Sequence, residues 1–158
     1  MPVIKLKTKI NAPMERCFLL SLSVDLHQLS TEQTNEKAIA GITSGIMKLN
    51  DTVTWRAKHF GIYLTLTSKI TEYEYPDYFV DEMVEGAFKN LHHTHSFNWC
   101  GDHTELIDVF NFEAPAGIIG KIFSNLILKK YLTRFLSKRN QMIKFVAEGE
   151  EWKELLNR

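Results

Sequence analysis

The chain has 158 residues, a length typical of one domain with one substantial core. Lysine plus arginine and aspartate plus glutamate number 19 each, so the formal net charge is zero and no global field favours nucleic acid as a partner. Hydrophobic residues make up 44% of the chain, yet no apolar run reaches the ~20 residues of a membrane span. We therefore expect one globular domain over residues 1–158, with no nucleic-acid partner and no stable membrane insertion.

The first strand and the two cysteines indicate the compartment. Residues 3–10 alternate apolar and basic side chains in the period of a strand and lack the continuous apolar core of a secretory signal. Cys17 lies in an apolar helical stretch and Cys100 beside a turn, and two cysteines in such different contexts do not form a disulfide framework. These features predict a cytoplasmic protein with two free thiols.

Two short helices and a series of strands follow. Apolar residues at helical spacing predict one helix from Met14, and a second helix is predicted over 25–29. The next segments are strand-like and are bounded by Gly, Asn, Asp or Pro. They cover residues 38–45, 51–59, 62–72, 79–85, 89–99 and 104–113.

Beyond Pro115 and Gly117 the apolar period changes from two to about 3.6 residues, which predicts one long amphipathic helix that ends near Gly149, with a short extension over 150–156. Its apolar stripe comprises Ile119, Ile122, Phe123, Leu126, Ile127, Leu132, Phe135, Leu136, Met142, Ile143 and Val146. Its basic residues are interpreted as the solvated face: Lys129, Lys130, Arg134, Lys138 and Arg139. The order of elements predicts an α+β fold in which the long helix lies along the concave face of a curved antiparallel sheet.

The stretch LHHTHSFNW places two of its three histidines among apolar residues. In a strand, His93 and His95 share a face with Leu91 and Phe97, while His92 points to the other face. We expect this apolar face, with His93 and His95, to be the inner face of the sheet. By the same alternation, the inward residues of the other strands are Val53, Trp55, Ala57 and His59; Ile62, Leu64, Leu66 and Ile70; and Leu106, Asp108 and Phe110.

The parity of the strand over 79–85 is ambiguous, because either choice buries carboxylates. We favour an inward Phe79, Asp81, Met83 and Glu85. A hairpin would then place Asp81, Met83 and Glu85 opposite His95, His93 and Leu91. Buried imidazoles without partners cost about 1–3 kcal/mol each, so His93 and His95 require acids, waters or a ligand. They are either internally satisfied polar groups of the core or part of a pocket.

A metal site is the alternative for the histidines. His93 and His95 with His59, near Asp81 or Glu85, offer a ligand set, but no longer zinc-binding spacing accompanies them. We therefore predict no metal and no cofactor. The remaining histidines, His27, His92 and His103, are interpreted as solvated.

Four stretches carry a family resemblance: DTVTWRAKHFG, YFVDEMVEGAFKNLHHTHSF, DVFNFEAPAGIIGKI and LKKYLTRFLSKRNQMIK. In this order and at this spacing they resemble the SRPBCC (START-like, birch-pollen-allergen-like) superfamily. Within it they resemble a bacterial subgroup labelled polyketide cyclase/dehydrase-like or cell-division-inhibitor-like. The subgroup's H-x-H after G-x-F is matched by His93 and His95, and its W-R-A-R-H-F-G by residues 55–61, with Lys58 where arginine is common. Residues 91–92 depart from the usual aromatic-arginine pair.

The resemblance implies a helix-grip fold, in which a curved antiparallel sheet wraps around a long C-terminal helix over a deep, mainly apolar cavity. Members of the superfamily include lipid carriers, hormone and polyketide binders, cyclases and stress-response modules, and a fold alone does not select among them. We expect a carrier or sensor, monomeric or homodimeric, for a small hydrophobic molecule of lipid, polyketide or aromatic type. The expected ligand-binding residues are Trp55, His59, Leu64, Leu66, Asp81, Met83, His93, His95, Phe97, Asp108, Phe110, Ile119, Phe123 and Leu126.

Two other functions stay open at this point. The first is a cyclase, dehydratase or hydrolase in which His93 or His95 is the general base, tuned by Asp81 or Glu85. The second is a protein-interaction module that uses the edge strands or residues 150–158.

Overall fold

The computed structural model describes residues 2–114 and 127–157. Its strands are β1 (Val3–Ile10), β2 (Lys37–Gly41), β3 (Thr52–His59), β4 (Ile62–Glu74), β5 (Tyr78–Gly86), β6 (Asn90–Trp99) and β7 (Thr104–Glu113). Its α-helices are α1 (Met14–Ser21), α2 (Val24–Ser30), α3 (Lys129–Glu148) and α4 (Trp152–Leu156), and a 3₁₀ helix covers Glu32–Thr34. The predicted elements of these ranges are confirmed. The predicted start of the long helix, with Ile119, Phe123 and Leu126, lies outside the described residues.

The described strands form one antiparallel sheet in the order β1-β7-β6-β5-β4-β3-β2. Register shifts occur within β4, between Thr67 and Ser68 and again between Ile70 and Glu72, and in β2 between Ala38 and Ala40. Extra residues of this kind bend a strand and increase its twist, which curves this half of the sheet. The concave face thus formed covers α3.

Strand β2 is shorter than predicted. It ends at Gly41, whose φ is +72° and where a Cβ would lie 2.2 Å from the carbonyl oxygen of Thr52. Any side chain at this position would clash with the neighbouring strand, so only glycine fits there. The strand ends at this residue and the chain leaves the sheet. The predicted strand to residue 45 was wrong in its second half.

Helix α3 has one buried stripe. Leu132, Leu136, Arg139, Ile143 and Val146 are buried and follow one another at intervals of three or four residues. This spacing keeps one face of the helix against the sheet. Gly149 follows the last residue of the helix, as predicted, and α4 continues after it.

The two halves of α3 contact different apolar clusters. Its C-terminal half, through Ile143 and Val146, joins a cluster with α1, α2 and the inner residues of the sheet, which we call the solid core; Phe18 is fully buried in it. Its N-terminal half, through Leu132 and Leu136, meets a smaller cluster around Phe112. The space between sheet and helix is therefore densely packed at one end.

Candidate functional site

A cavity of about 590 Å³ lies between the sheet and the N-terminal half of α3. Its volume falls within the ~300–1,000 Å³ of small-molecule pockets. Much of its wall is apolar: Val53, Trp55, Ala57, Phe60, Leu64, Leu66, Phe79, Phe88, Leu91, Phe110, Leu128, Leu132, Phe135 and Leu136 are among the lining residues. Polar side chains interrupt this wall in two places.

The first polar group is a network that links the sheet to α3, and we call it the histidine–aspartate network. Its members are Asp81, His93, His95, Asp108, Arg139 and Asn140. Asp81, His93 and Arg139 line the cavity. They come from β5, β6 and α3, so the network brings three separate elements together at one point of the wall.

Asp108 is the centre of this network. It has no solvent exposure, and its two carboxylate oxygens are 2.8 Å from His93 Nε2 and 2.6 Å from Asn140 Nδ2, which donates to it. Arg139 lies 3.9 Å away and donates to the carbonyl oxygen of Ser21. A buried carboxylate is tolerated when such partners surround it, and here the partners tie α3 to β7.

The register of β5 against β6 differs from the predicted one by two residues. Asp81 lies opposite His93, and Phe79 lies opposite His95. The predicted pairing of Asp81 with His95 was wrong, and the pairing of β5 with β6 ends at Glu82 and His92, before the connection between the two strands. The two side chains still meet diagonally, since Asp81 Oδ2 is 2.6 Å from His95 Nε2.

His95 is enclosed on both faces. Its ring stacks on Phe79 at 4.2 Å and faces the tilted ring of His93 at 3.7 Å between ring centroids, and the residue is 1% exposed. Its Nε2 contacts Asp81, and its Nδ1 lies 3.3 Å from Asp108 in a geometry that does not form a hydrogen bond. His95 therefore orients Asp81 and does not reach the cavity.

The buried charges set the protonation of the network. Burial alone would raise the pKa of Asp81, but the hydrogen bond and charge of His95, with His93 and Arg139 nearby, lower it to about 2. Burial, and next the proximity of His95, lowers the pKa of His93 to about 4, against the opposing effect of Asp108. Asp81 is thus an anion and His93 a neutral imidazole at neutral pH.

The ligand atoms of Asp81, His93 and His95 lie within 4.8 Å of one another, which makes them a possible metal-ligand set among the described residues. The two imidazole rings are tilted by 33° with their centroids 3.7 Å apart, and Asp81 Oδ2 lies 2.6 Å from His95 Nε2. His59, the third histidine of the predicted alternative, is not part of this set. The geometry is that of a hydrogen-bonded network.

The second polar group surrounds Glu36, and we call it the Glu36 cluster: His27, Glu36, Trp55, His59 and Tyr131, all of which line the cavity. His27 Nε2 is 3.3 Å from Glu36 Oε1, and the His27 ring contacts the ring of Trp55 in a tilted arrangement, with 4.2 Å between centroids. His59 Nδ1 and the Tyr131 hydroxyl are 2.6 Å apart. Burial lowers the pKa of His59 and raises that of Tyr131, which favours the neutral forms of both.

The predicted site residues fall into three groups. Lining the cavity are Trp55, His59, Leu64, Leu66, Asp81, His93 and Phe110. Set back from it among the described residues are Met83, His95, Phe97 and Asp108. Phe97 belongs to the solid core, where it contacts Phe18, and Met83 packs beside the smaller cluster around Phe112. Ile119, Phe123 and Leu126 lie outside the described residues.

Several polar residues of the cavity, including Tyr131, were not predicted from the sequence, and one strand end was misplaced. His27 and Arg139 were interpreted as solvated, yet both line the cavity, and Arg139 is buried. Glu36 was not singled out, although it precedes Ala38 by two residues and so shares the inward parity of β2. Ile62 was expected inside but is exposed at the tip of the β3–β4 hairpin, beyond the cover of α3.

No protein-family model matches the chain, and no curated protein is similar enough in sequence to be matched. Solved structures do match its fold. A protein from Thermus thermophilus superposes with a TM-score of 0.70 at 16% identity, over 90% of this chain and 97% of that one. A START superfamily protein from Mycobacterium smegmatis gives a TM-score of 0.69 at 11% identity, over 92% and 97% of the two chains.

A plant protein shares the same architecture. The major latex-like protein of Panax ginseng gives a TM-score of 0.65 at 15% identity, over 94% of this chain and 98% of that one. In the described part of the chain, no helix combines the length and the apolar character needed to cross a lipid bilayer. The chain has the helix-grip fold, which it shares with the START superfamily protein and the major latex-like protein named above.

Proposed function

We propose that the protein binds a small hydrophobic molecule in the cavity beneath α3 and acts as its carrier or sensor. The observation that carries this proposal is the cavity itself, a space of about 590 Å³ with a largely apolar wall. Apolar surface left in contact with water costs free energy, about 25 cal/mol for each Å², and an apolar ligand would remove that cost. The helix-grip fold, shared with a START superfamily protein, supports the same role.

The two polar groups would orient the ligand. Pockets for small molecules combine apolar walls with a few fixed hydrogen-bonding groups that select the polar atoms of the ligand. Asp81 and His93 stand at one place in the wall, and Glu36 with His27 at another. A ligand with polar groups at two positions would fit this pattern better than a pure hydrocarbon.

Binding is favoured over acid–base catalysis by the state of the histidines. A general base is most effective when its pKa lies near the working pH. The pKa of His93 is lowered to about 4 and that of Asp81 to about 2, so both are weak bases. His95, the other candidate base, is enclosed between two rings and contacts Asp81 instead of the cavity.

Trp55 offers a direct readout of binding. The chain has three tryptophans, and only Trp55 lines the cavity among the described residues. In a Trp99→Phe/Trp152→Phe variant, Trp55 is the sole emitter. We expect saturable changes in its fluorescence on titration with fatty acids, long-chain alcohols and amines, or flat aromatic polyketides. Mass spectrometry of an organic extract of the purified protein would identify a molecule carried from the cell.

A substitution that fills the cavity tests the location. Ala57 is buried on the inner face of β3 and lines the cavity, whereas Lys58 follows it on the outer face. Ala57→Phe should weaken binding at least about tenfold, a loss of about 1.4 kcal/mol, because the ring occupies ligand space. Lys58→Phe adds the same ring outside and should bind like the wild type. Wild-type affinity in a folded Ala57→Phe protein, or no binding of any probe, would refute the proposal.

A further inference from the structure

A carboxylate oxygen of Glu36 is the least satisfied polar atom of the cavity wall. The residue is only 8% exposed, and Oε2 has no hydrogen-bond partner among the described residues. The other oxygen, Oε1, is 3.3 Å from His27 Nε2. An unpaired buried polar atom costs about 1–3 kcal/mol and more when it carries charge, so a donor from a ligand would remove a substantial penalty.

The register of β2 places this carboxylate on the cavity face. Lys37 pairs with Arg56, so Glu36 lies at the level of Ala57, between Trp55 and His59 on the inner side of β3. Trp55, Ala57 and His59 all line the cavity, as does Glu36. The side chain therefore belongs to the wall of the same space that we propose for the ligand.

The described part of the wall has more acidic side chains than lysines and arginines. Among the described lining residues, Glu36 and Asp81 are acidic and Arg139 is the one lysine or arginine. Arg139 is committed to the other polar group, where it donates to Ser21 and Asn140 and lies 3.9 Å from Asp108. Glu36 thus lacks a permanent counter-ion within the described lining of the cavity.

Aromatic rings surround this end of the cavity. Trp55 contacts the ring of His27, and Tyr131 contacts the rings of His59, Phe60 and Phe135. The faces of aromatic rings carry partial negative charge and attract cations within about 6 Å. A carboxylate acceptor framed by such rings is suited to a group that combines positive charge with N–H donors.

We propose that the Glu36 cluster binds the protonated amino group of an apolar amine, with an N–H of the ligand donating to Glu36 Oε2. The hydrocarbon part of the amine lies along the apolar wall toward α3. This inference rests on the proposed carrier function and specifies its ligand class. A neutral alcohol could donate to the same oxygen but would leave the negative charge of the cluster uncompensated.

Three probes of equal chain length separate these possibilities: decylamine, decanol and decanoic acid, titrated against Trp55 fluorescence in the Trp99→Phe/Trp152→Phe protein. We expect decylamine to bind about tenfold or more tightly than decanol, as a charge-assisted hydrogen bond in a buried site contributes more than a neutral one. Decanoic acid should bind most weakly, because its carboxylate would face Glu36.

Glu36→Gln tests the role of the charge, since glutamine keeps the shape and an acceptor oxygen. It should abolish the preference for decylamine over decanol, because both probes then meet a neutral acceptor. Glu32→Gln, an exposed acidic residue on the neighbouring 3₁₀ helix, is the matched control and should keep the preference. The comparison of probes on the unsubstituted Glu36 protein decides the question even if Glu36→Gln does not fold.

The outcomes also separate this inference from the carrier function. Equal binding of decylamine and decanol, tighter binding of decanoic acid, or an undiminished preference in folded Glu36→Gln would overturn the amine site while leaving the carrier function intact. Absence of binding for every probe, including the wider panel of lipids and polyketides, would overturn both.

Discussion

Lowering the pH should destabilise the protein through His93. This residue is 5% exposed and its pKa is lowered from 6.5 to about 4, first by burial and next by the adjacent His95. The groups that face it are Asp81 from β5, Asp108 from β7 and Arg139 from α3. In the unfolded chain the imidazole regains its ordinary pKa. Unfolding is therefore accompanied by proton uptake between these two values, and acid favours the unfolded state.

The pKa difference sets the size of the effect. The contribution of neutral His93 to the free energy of unfolding is fully present above pH 6.5 and is lost progressively as the pH falls to about 4. One pKa unit corresponds to about 1.4 kcal/mol, so the free energy of unfolding should fall by about 3 kcal/mol over this range. The lowered pKa of His59 acts in the same direction. Asp81, with its pKa lowered to about 2, adds a further loss only below 3.8.

Urea unfolding at a series of pH values measures this dependence. In His93→Gln, the glutamine can still donate a hydrogen bond to Asp108 but does not ionise. The free energy of unfolding of this variant should therefore change much less between pH 6.5 and 4 than that of the wild type. His92→Gln, on the outer face of the same strand, is the matched control and should keep the wild-type slope. Equal slopes in the wild type and in folded His93→Gln would show that this imidazole is not held neutral by the fold.

Three further substitutions or modifications test the packing. Arg139→Met should lower the free energy of unfolding by about 3 kcal/mol because it breaks a buried charged network, whereas Arg134→Met, on the exposed face of α3, should have little effect in the same urea titration. Phe18→Ala, which leaves a cavity in the solid core, should cost about 3–5 kcal/mol. A thiol reagent should label Cys100 alone in the native protein and Cys17 only after denaturation, since burial raises the pKa of Cys17 to about 11.

The periodic features of the fold were predictable from the sequence. Burial alternates strictly along β7 and along β6 as far as Phe97, and His93, His95 and Asp108 are buried as their parity indicated, whereas Trp99 at the end of β6 is exposed. The change of apolar period after the last strand indicated a long helix, and α3 is present from Lys129 onward in the described residues. These features depend on local spacing, which a single sequence contains.

Contacts between distant segments were not predictable in the same way. The alternation of β5 and β6 indicates which side chains share a face, but the same alternation is compatible with Asp81 opposite either His93 or His95, and the structure has the first pairing. Arg139 was assigned to the solvated face by residue type, although it continues the buried stripe of Leu132 and Leu136 by three residues. Its partners, Asp108 and Ser21, lie far away in the sequence, so its burial follows from tertiary structure.

The histidine–aspartate network stands at the boundary between the cavity and the solid core. Residues of α3 up to Arg139 line the cavity, whereas Ile143, which follows the network along the helix, belongs to the solid core. Apolar packing is non-directional and would favour collapse of the helix onto the sheet, whereas the bonds of Asn140 to Asp108 and Thr8 fix its position. These bonds therefore help to keep the cavity open.

Asn140 provides a test of that mechanism because it is buried in the network without lining the cavity. Asn140→Leu keeps the branching of the side chain at Cγ, with methyl groups in place of the amide O and NH₂, and removes its hydrogen bonds to Asp108 and Thr8. If directional bonds hold α3 above the sheet, this variant should bind apolar probes more weakly although the altered residue touches none of them. The Trp55 titration should then show a raised Kd under conditions where the variant is fully folded. An unchanged Kd would mean that the cavity is held open by the packing of α3 against the solid core alone.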